Sequence, residues 1–386
     1  MTTRVRDVIF LVGSPFTRRD YDRFGFNLLG SQGFGVAAWE VGRTDGGGEG
    51  GDPPPTGSLR VFPSKCALEK SLAVLGPETF VVCYLGYALA NLGIYRAISR
   101  SGASYGVHLS GAIPPVYAGQ SSTAFLFRRL KAFNVAHIIN SLFSRVPFHK
   151  IGIRPARLVF VTGARPRGNP YPVDRGTEYV TLHGLDYDLY LKTREDSFVV
   201  DPKVGVFLDE FRAYHPDYAS MGERSPVSPD AYYSALRGFF SSLEARFNVR
   251  IVVAAHPRSC YEDFPGIFGA REVIRGRTAQ LVARSGFTLM HASTSISFPV
   301  LFQKPIVFMT TDEIARSYEG PMVGQMAALL GKKAVNIDQP LALDWEKEMS
   351  IDQDAYRRYR DTYLKPSPAV PDLPSWQIVA EKLRVL

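Results

Sequence analysis

Cysteine is scarce in this sequence. The 386 residues include three cysteines, which stand far apart at positions 66, 83 and 260. Because they have no paired spacing, they argue against both a disulfide framework and a zinc site. Cys83 lies inside the apolar run FVVCYL, so we expect it in a hydrophobic core.

Long apolar runs are also missing. No stretch reaches the roughly 18 uncharged residues that would suggest a membrane-spanning helix. The first residues, MTTRVRDVIFLVG, do not resemble a secretory signal, because Asp7 interrupts a short apolar core. They are typical of a first strand, and we expect a cytoplasmic protein.

Two common motifs of phosphate and metal chemistry are absent. The glycine- and proline-rich stretch 44–57 is not closed by Gly-Lys-Ser/Thr, so it is predicted to be a surface loop and not a phosphate loop. No Asp-x-Asp motif stands in a helpful context. We therefore expect neither a metal site nor a cofactor.

The composition that is present fits two globular domains. Hydrophobic residues make up 45% of the chain and aromatic residues 12%, and the length allows each of two domains its own core. The net charge of +8 favours polyanionic partners: nucleic acid, an anionic membrane face or phosphate-bearing substrates. Charge alone does not choose among them.

Strand-like and helix-like segments alternate along the chain. Apolar runs such as DVIFLV, TFVVCYLG and IVVAA are separated by helical segments such as ALANLGIYRAISRSG. This order predicts mostly parallel sheets that are covered by helices on both faces. We expect an α/β fold with two doubly wound, Rossmann-like domains, residues 1–195 and 196–386. The C-terminal helices are candidates for packing back on the first domain.

A basic segment at 121–145 has two interpretations. Its helical pattern sets apolar side chains beside Arg128, Arg129 and Lys131. Such a helix docks on anionic membranes, and peripheral contact with the inner membrane is one hypothesis. The other is a domain helix whose charged face is merely solvated.

Polar groups follow three predicted strands in the second half. The clusters are Asp209-Glu210 after VGVFL, His256-Pro257-Arg258 after IVVAA, and His291-Ala292-Ser293-Thr294-Ser295 after FTLM. Ligands of open parallel sheets bind outside the carboxyl ends of strands, so these clusters are predicted to face one pocket. His291, and Thr278 at the start of the helical segment TAQLVARSG, are further nucleotide-binding candidates.

Each cluster has a chemical interpretation and a structural one. Ser293, Thr294 and Ser295 begin a helix, where hydroxyls and backbone N–H groups bind anions, although one of them would serve as an ordinary N-cap. His256 and Arg258 are candidate donors to a phosphate, and His256 is also a catalytic candidate because it would stabilise charge on a departing nucleotide. The structural alternative is that a lone histidine is more often part of the fold.

The acidic pair has similar alternatives. One of Asp209 and Glu210 would act as general base or nucleophile, whereas the structural alternative is a helix cap or a salt bridge to Arg212. His215 and Asp217 follow close behind as supporting candidates.

These motifs resemble those of a known family. VFLDE, AAHPRS and HASTSISFPVLFQKPI look like the acidic, His-Pro and Ser motifs of bacterial GT-B glycosyltransferases that use CMP-activated keto sugars, the sialyltransferase and Kdo-transferase type. The similarity spans roughly residues 204–310. Phe211 follows Glu210 where the sialyltransferases commonly have glycine, which leaves room for the Kdo-like subgroup.

The resemblance implies a fold, roles and an activity. The two domains would face each other across a cleft, with the acceptor on the first and the CMP-sugar donor on the second. Asp209 would supply the catalytic carboxylate, and His256 with residues 293–295 would hold the CMP phosphate. The expected reaction moves Kdo or a sialic-acid-like sugar to a glycan or lipid-linked acceptor during the synthesis of bacterial lipopolysaccharide or capsule.

Two other functions stay open. A UDP-sugar epimerase or a glycerophosphate transferase of similar fold also pairs a strand-end histidine with a helix-start phosphate site. A basic nucleic-acid-binding protein would explain the charge alone. No compact run interleaves aromatic residues with Lys and Arg, as a stacking platform requires, so we do not expect nucleic acid as a partner.

Overall fold

The computed structural model describes residues 4–41, 52–109, 140, 142–163, 171–220, 224–366 and 370–386. Within these ranges the chain forms two compact units. The first unit takes in the described residues up to His183 and the segment from Val370 to the C-terminus, and the second takes in those from Gly184 to Pro366. Most of the basic segment 121–145 and the glycine-rich part of the stretch 44–57 lie outside the described residues.

The first unit is built on a sheet of seven parallel strands. Their order is β3-β2-β1-β4-β5-β6-β7. The strands are β1 (Asp7–Val12), β2 (Gly35–Val41), β3 (Leu59–Phe62), β4 (Thr79–Cys83), β5 (Ser104–Leu109), β6 (Leu158–Thr162) and β7 (Glu178–Leu182). The described helices are α1 (Arg18–Arg23), α2 (Phe26–Ser31), α3 (Lys65–Ala73), α4 (Leu92–Arg100) and the C-terminal α14 (Ser375–Leu383). The central strand β4 is buried along its whole length, because helices cover both faces of a parallel sheet.

Helix α14 belongs to this first unit because of Trp376. Its indole is 1% exposed and lies edge-on to Phe10 at 4.9 Å. The indole Nε1–H donates to the carbonyl of Arg23 at 2.8 Å. Gly25, at φ +62°, permits this close approach, since a Cβ there would lie 2.7 Å from the tryptophan side chain.

The second unit is built on a sheet of six parallel strands. Their order is β10-β9-β8-β11-β12-β13. The strands are β8 (Asp201–Leu208), β9 (Arg250–Ala255), β10 (Val273–Arg275), β11 (Ser285–Met290), β12 (Ile306–Thr310) and β13 (Val335–Asn336). The helices are α5 (Leu185–Glu195), α6 (Pro216–Ser220), α7 (Pro229–Phe247), α8 (Thr278–Arg284), α9 (Ser297–Leu301), α10 (Asp312–Arg316), α11 (Gly320–Leu329), α12 (Trp345–Met349) and α13 (Gln353–Tyr359).

The long helix α7 covers the central strands of this second sheet. Its buried residues recur at helical spacing: Tyr232, Tyr233, Leu236, Phe239, Phe240 and Leu243. Pro229 stands in the first turn, where it is tolerated, and Asn248 ends the helix in a left-handed conformation.

The predicted fold class, two doubly wound α/β units, is confirmed. In each sheet the strand order runs outward from two neighbouring central strands, as in Rossmann folds. None of the described helices is long and apolar enough to cross a membrane.

Candidate functional site

The predicted clusters follow the central strands of the second sheet. The strand order reverses between β8 and β11, which are neighbours in this sheet. Asp209 and Glu210 follow β8, His256 follows β9, and His291 to Ser295 follow β11. In an open parallel sheet the crevice beside such a reversal is the usual ligand site. We call these strand-end residues of the second unit, together with His215, Asp217 and Arg258, the carboxyl edge.

Asp209 ties β8 to β9. Its Oδ2 accepts a hydrogen bond from the backbone N–H of His256 at 3.1 Å and one from the hydroxyl of Tyr261 at 2.8 Å. Its Oδ1 accepts a third from the N–H of Phe211 at 3.0 Å. The side chain is 5% exposed, and burial raises the pKa of this carboxyl to about 6, against the lowering effect of the three hydrogen bonds. Asp209 therefore positions the start of the His-Pro segment.

Phe211 adopts the backbone conformation that glycine would favour at this position. Its φ is +50°, in the left-handed region that is unusual for a bulky side chain. The hydrogen bond from its N–H to Asp209 holds the turn, and its ring packs edge-on against Tyr261 at 5.2 Å. The turn after the acidic pair therefore forms with phenylalanine in place of glycine.

Glu210 connects the end of β8 to the turn after β11 and, through Arg212, to Glu319 directly before α11. Its Oε1 accepts a hydrogen bond from the N–H of Ala292 at 2.9 Å, and its Oε2 pairs with Arg212. The guanidinium of Arg212 is 2% exposed and also pairs with Glu319. The hydroxyl of Tyr218 donates to Glu319 at 2.9 Å. The salt bridge to Arg212 that the sequence suggested is present, and it belongs to a network that holds the turn after β11.

Two histidines lie together at the carboxyl edge. The rings of His215 and His256 have centroids 4.8 Å apart. The Nδ1 of His256 accepts a hydrogen bond from the N–H of Arg258, and the Nδ1 of His215 accepts one from the N–H of Asp217, both at 3.2 Å. A ring nitrogen that accepts a hydrogen bond carries no proton, so these contacts favour a proton on Nε2 of each neutral imidazole. The Nδ1 of His215 also lies 3.6 Å from the Asp217 carboxylate, and that contact favours a proton on Nδ1. In the Nε2-protonated tautomer, the Nε2–H of each ring is a hydrogen-bond donor.

Arg258 and Asp217 accompany the histidine pair. The Arg258 guanidinium donates to the Asp217 carboxylate at 2.6 Å, and both side chains are partly exposed. The sequence named all four residues, but it gave His215 and Asp217 a supporting role. Because the two rings lie side by side, His215 is as strong a candidate for phosphate binding as His256.

The hydroxyl residues after β11 form a short turn. Residues Thr294–Ile296 make one 3₁₀ turn that leads into α9, and Ser293 is its N-cap, accepting from the N–H of Ser295 at 3.2 Å. Thr294 is exposed, whereas Ser293 and Ser295 are half-buried. Thr278 begins α8 just after β10 and is half-buried at the same edge of the sheet.

His291 has a different environment from the one that its nucleotide-binding prediction requires. It is fully buried, and burial lowers its pKa to about 3. Its Nδ1 donates to the carbonyl of Met309 at 2.8 Å, and its Nε2 accepts from the hydroxyl of Tyr232 at 3.0 Å. With both ring nitrogens engaged in the core, His291 joins β11 to β12 and α7 and does not face a ligand.

Sequence reasoning missed Tyr261 and Glu319. Tyr261 bonds to a residue 52 positions away, and Glu319 pairs with the buried Arg212. Neither stands in a motif, so no local signal marks them. In the part of the chain that the structure describes, no group of three or more His, Cys, Asp or Glu side chains is arranged to hold a metal ion.

Comparison with known proteins identifies the fold. No protein-family model and no curated protein matches the sequence. Among solved structures, a variant of the wall teichoic acid polymerase TagF is similar with a TM-score of 0.52 and 10% identity, over 98% of this chain and 88% of that one. A protein assigned as a UDP-N-acetylglucosamine 2-epimerase from Listeria monocytogenes is similar with a TM-score of 0.50 and 11% identity, over 95% of this chain and 94% of that one. The fold is GT-B.

Proposed function

We propose that the chain is a glycosyltransferase that binds a CMP-linked keto sugar at the carboxyl edge of the second unit. The observation that carries this proposal is the pair of imidazole rings of His215 and His256 at the strand ends, with centroids 4.8 Å apart. Imidazole N–H groups suit the oxygens of a phosphate and the charge that develops on it as the sugar departs. The hydroxyls of Ser293 and Thr294, on the neighbouring strand end, add further donors.

Asp209 acts in this proposal through His256. Its buried carboxylate already accepts three hydrogen bonds, two of them from backbone N–H groups. We therefore assign it the positioning of the His-Pro segment, in place of the base or nucleophile role that the motif suggests. Glu210 has the matching role for the turn after β11, through its bond to Ala292.

The similar structures favour a nucleotide-activated substrate without choosing the nucleotide. The two similar structures are named as a teichoic acid polymerase and a UDP-N-acetylglucosamine 2-epimerase, and the fold by itself fits either chemistry. CMP and the keto sugar follow from the resemblance of the acidic, His-Pro and Ser motifs. The acceptor in this proposal is a glycan or a lipid-linked saccharide of the bacterial surface.

A panel of CMP, CDP, UDP and GDP tests the donor. At about a hundred times its dissociation constant, CMP is expected to add roughly 2.7 kcal/mol of stability, read as a higher melting temperature. His256→Ala should remove most of this shift, whereas His149→Ala, at an exposed site of the first unit, should keep it. Stabilisation by UDP alone, with sugar epimerisation, would replace the proposal by the epimerase alternative.

A further inference from the structure

One long stretch of the sequence contains no acidic residue. Between Glu78 and Asp174 there is neither Asp nor Glu, whereas there are nine arginines and two lysines. Because the whole chain carries a net charge of +8, the rest of the protein is net negative. The described residues of this stretch all belong to the first unit. Positive charge is therefore concentrated in one part of the chain, which favours contact with a polyanionic surface.

The cations of this stretch have no carboxylate partners in the part of the chain that the structure describes. Arg145 and Lys150 are exposed, and neither forms an ion pair or a side-chain hydrogen bond with the described residues. The second unit differs, because Arg212, Arg258 and Arg271 each pair with a carboxylate there. The charge of Arg145 and Lys150 is therefore available to a partner.

Apolar side chains are exposed beside Arg145. Leu142 is 57% exposed and Val146 is 39% exposed, and Arg145 stands between them in the sequence. Leu89 is 45% exposed and lies next to the same segment, since its backbone N–H donates to Oδ1 of Asn140 at 3.1 Å. Single exposed apolar residues are common on protein surfaces, whereas a group of them marks an interaction site.

The turn that carries two of these side chains is anchored to the core. Phe143 is 7% exposed, and its ring lies 4.9 Å from that of Tyr87. The N–H of Arg145 donates to the carbonyl of Leu142 at 3.1 Å, and the N–H of Val146 donates to that of Phe143 at 3.0 Å. Leu142 and Val146 are therefore exposed on a turn that the core and its own hydrogen bonds hold in place.

We propose that Leu89, Leu142, Arg145, Val146 and Lys150 form a surface that docks on an anionic lipid membrane. We call these five residues the docking surface. The cations attract anionic headgroups, and the aliphatic side chains enter the boundary between headgroups and acyl chains. Stable attachment to a membrane takes more than one weak signal, and this surface supplies both kinds.

A membrane fits the docking surface better than two other anionic or apolar partners. Nucleic-acid surfaces stack bases on aromatic rings, whereas the large apolar side chains exposed here are aliphatic. A second copy of this chain, docked through the same face, would bring like charges together. The inference goes beyond the proposed function and does not depend on it, because no nucleotide enters the argument.

Vesicle binding by the full chain tests this proposal. The probes are vesicles of phosphatidylcholine with about one third phosphatidylglycerol, vesicles of phosphatidylcholine alone, and polyuridylic acid as a polyanion without lipid. The chain is expected to sediment with the mixed vesicles, to bind pure phosphatidylcholine at least about 10-fold more weakly, and to lose affinity as salt is added.

Two variants separate the charged and the apolar contributions. The double variant Arg145→Gln/Lys150→Gln should weaken binding to the mixed vesicles by about 25-fold, since each cation near an anionic surface contributes about 5-fold. Leu142→Ser should weaken it by about 3- to 10-fold, because about half of a leucine side chain loses its place in the interface. High salt should abolish the effect of the double variant and leave that of Leu142→Ser.

Matched variants of the second unit serve as controls. Arg284→Gln/Lys333→Gln removes two exposed cations, and Val199→Ser removes an apolar side chain that is 88% exposed. Both should bind the mixed vesicles like the parent protein. Every variant in this set changes an exposed side chain and should melt at the parent temperature, so a loss of binding is not caused by unfolding.

Three results would each overturn the proposal: no binding to the mixed vesicles, equal binding to pure phosphatidylcholine, or full binding by both docking-surface variants. Tighter binding to polyuridylic acid that Leu142→Ser leaves unchanged would also overturn it, by assigning the cations to nucleic acid. Stabilisation by CMP is measured without lipid, so the donor site and the docking surface stand or fall separately.

Discussion

Asp209→Asn should change how the stability of the protein depends on pH. Burial raises the pKa of the Asp209 carboxyl from 3.8 to about 6. Below about pH 3.8 the group is protonated in both the folded and the unfolded chain and has no effect. Between these values the unfolded chain ionises while the folded one stays protonated, so stability falls as the pH rises. Above about pH 6 the full cost is present, about 3 kcal/mol by the conversion of 1.36 kcal/mol per pKa unit.

Asparagine removes this titration but leaves a fixed cost. Both oxygens of Asp209 accept hydrogen bonds, whereas asparagine has one oxygen and one NH2 group. The NH2 group must therefore face at least one of the donors that now bond to Asp209, which costs about 1–3 kcal/mol at every pH. The stability of the parent protein minus that of the variant should therefore fall by about 3 kcal/mol between pH 3.5 and 6.5 and then stay constant.

The comparison with a variant is needed because His291 titrates in the opposite sense. Burial lowers its pKa to about 3, so its contribution is complete above the ordinary value of 6.5 and is lost as the pH falls. This effect is present in both proteins and cancels in the difference. The parent protein alone would show the sum of the two.

Urea unfolding at several pH values, with hydrogen exchange at the amides of β8 and β9, measures the difference. Hydrogen exchange restricts the readout to the second unit, where Asp209 lies. Asp196→Asn, at an exposed position, shows what the loss of a surface carboxylate does by itself. If the parent protein instead gains stability over the variant as the pH rises, Asp209 is stabilised as an ion and the reasoning is wrong.

Three further predictions concern the same edge. Tyr261→Phe removes a hydrogen bond that lowers the pKa of Asp209, so the pH window of the stability loss should move upward in the same titration. Arg212→Met leaves the two carboxylates it bridges unpaired and should cost about 3–5 kcal/mol in urea unfolding; a change below about 1 kcal/mol would contradict the network. At Phe211, φ +50° should make Phe211→Gly more stable than Phe211→Ala by about 1 kcal/mol, the reverse of the usual order, and equal stabilities would refute the strain.

The sequence was a good guide to the sheets because parallel strands buried on both faces are continuous apolar runs. DVIFLV and TFVVCYLG stand out for this reason, and they became β1 and β4 of the first sheet. Once the strands are predicted, the strand ends are predicted as well, since polar residues that follow such runs lie at the carboxyl edge. The position of Asp209 and His256 at one edge was predictable in this way.

The roles of the side chains at that edge were not predictable from the sequence. His256 and His291 each follow an apolar strand, yet the first lies beside His215 and the second is fully buried. Each histidine directly follows the last residue of its strand, Ala255 or Met290, so apolar spacing does not encode the difference. The bond between Asp209 and the N–H of His256 joins residues 47 positions apart, so no local pattern reveals it.

Nitrogen NMR of the histidine side chains tests the central claim most directly. The chain has seven histidines, so ¹⁵N-labelled imidazoles can be assigned by single substitutions at His215 and His256. We predict that both rings carry their proton on Nε2, and that CMP shifts both resonances while a nucleotide that does not stabilise the protein leaves them unchanged. Protonation on Nδ1 in either ring, or CMP binding that leaves both resonances unmoved, would contradict the phosphate site proposed here.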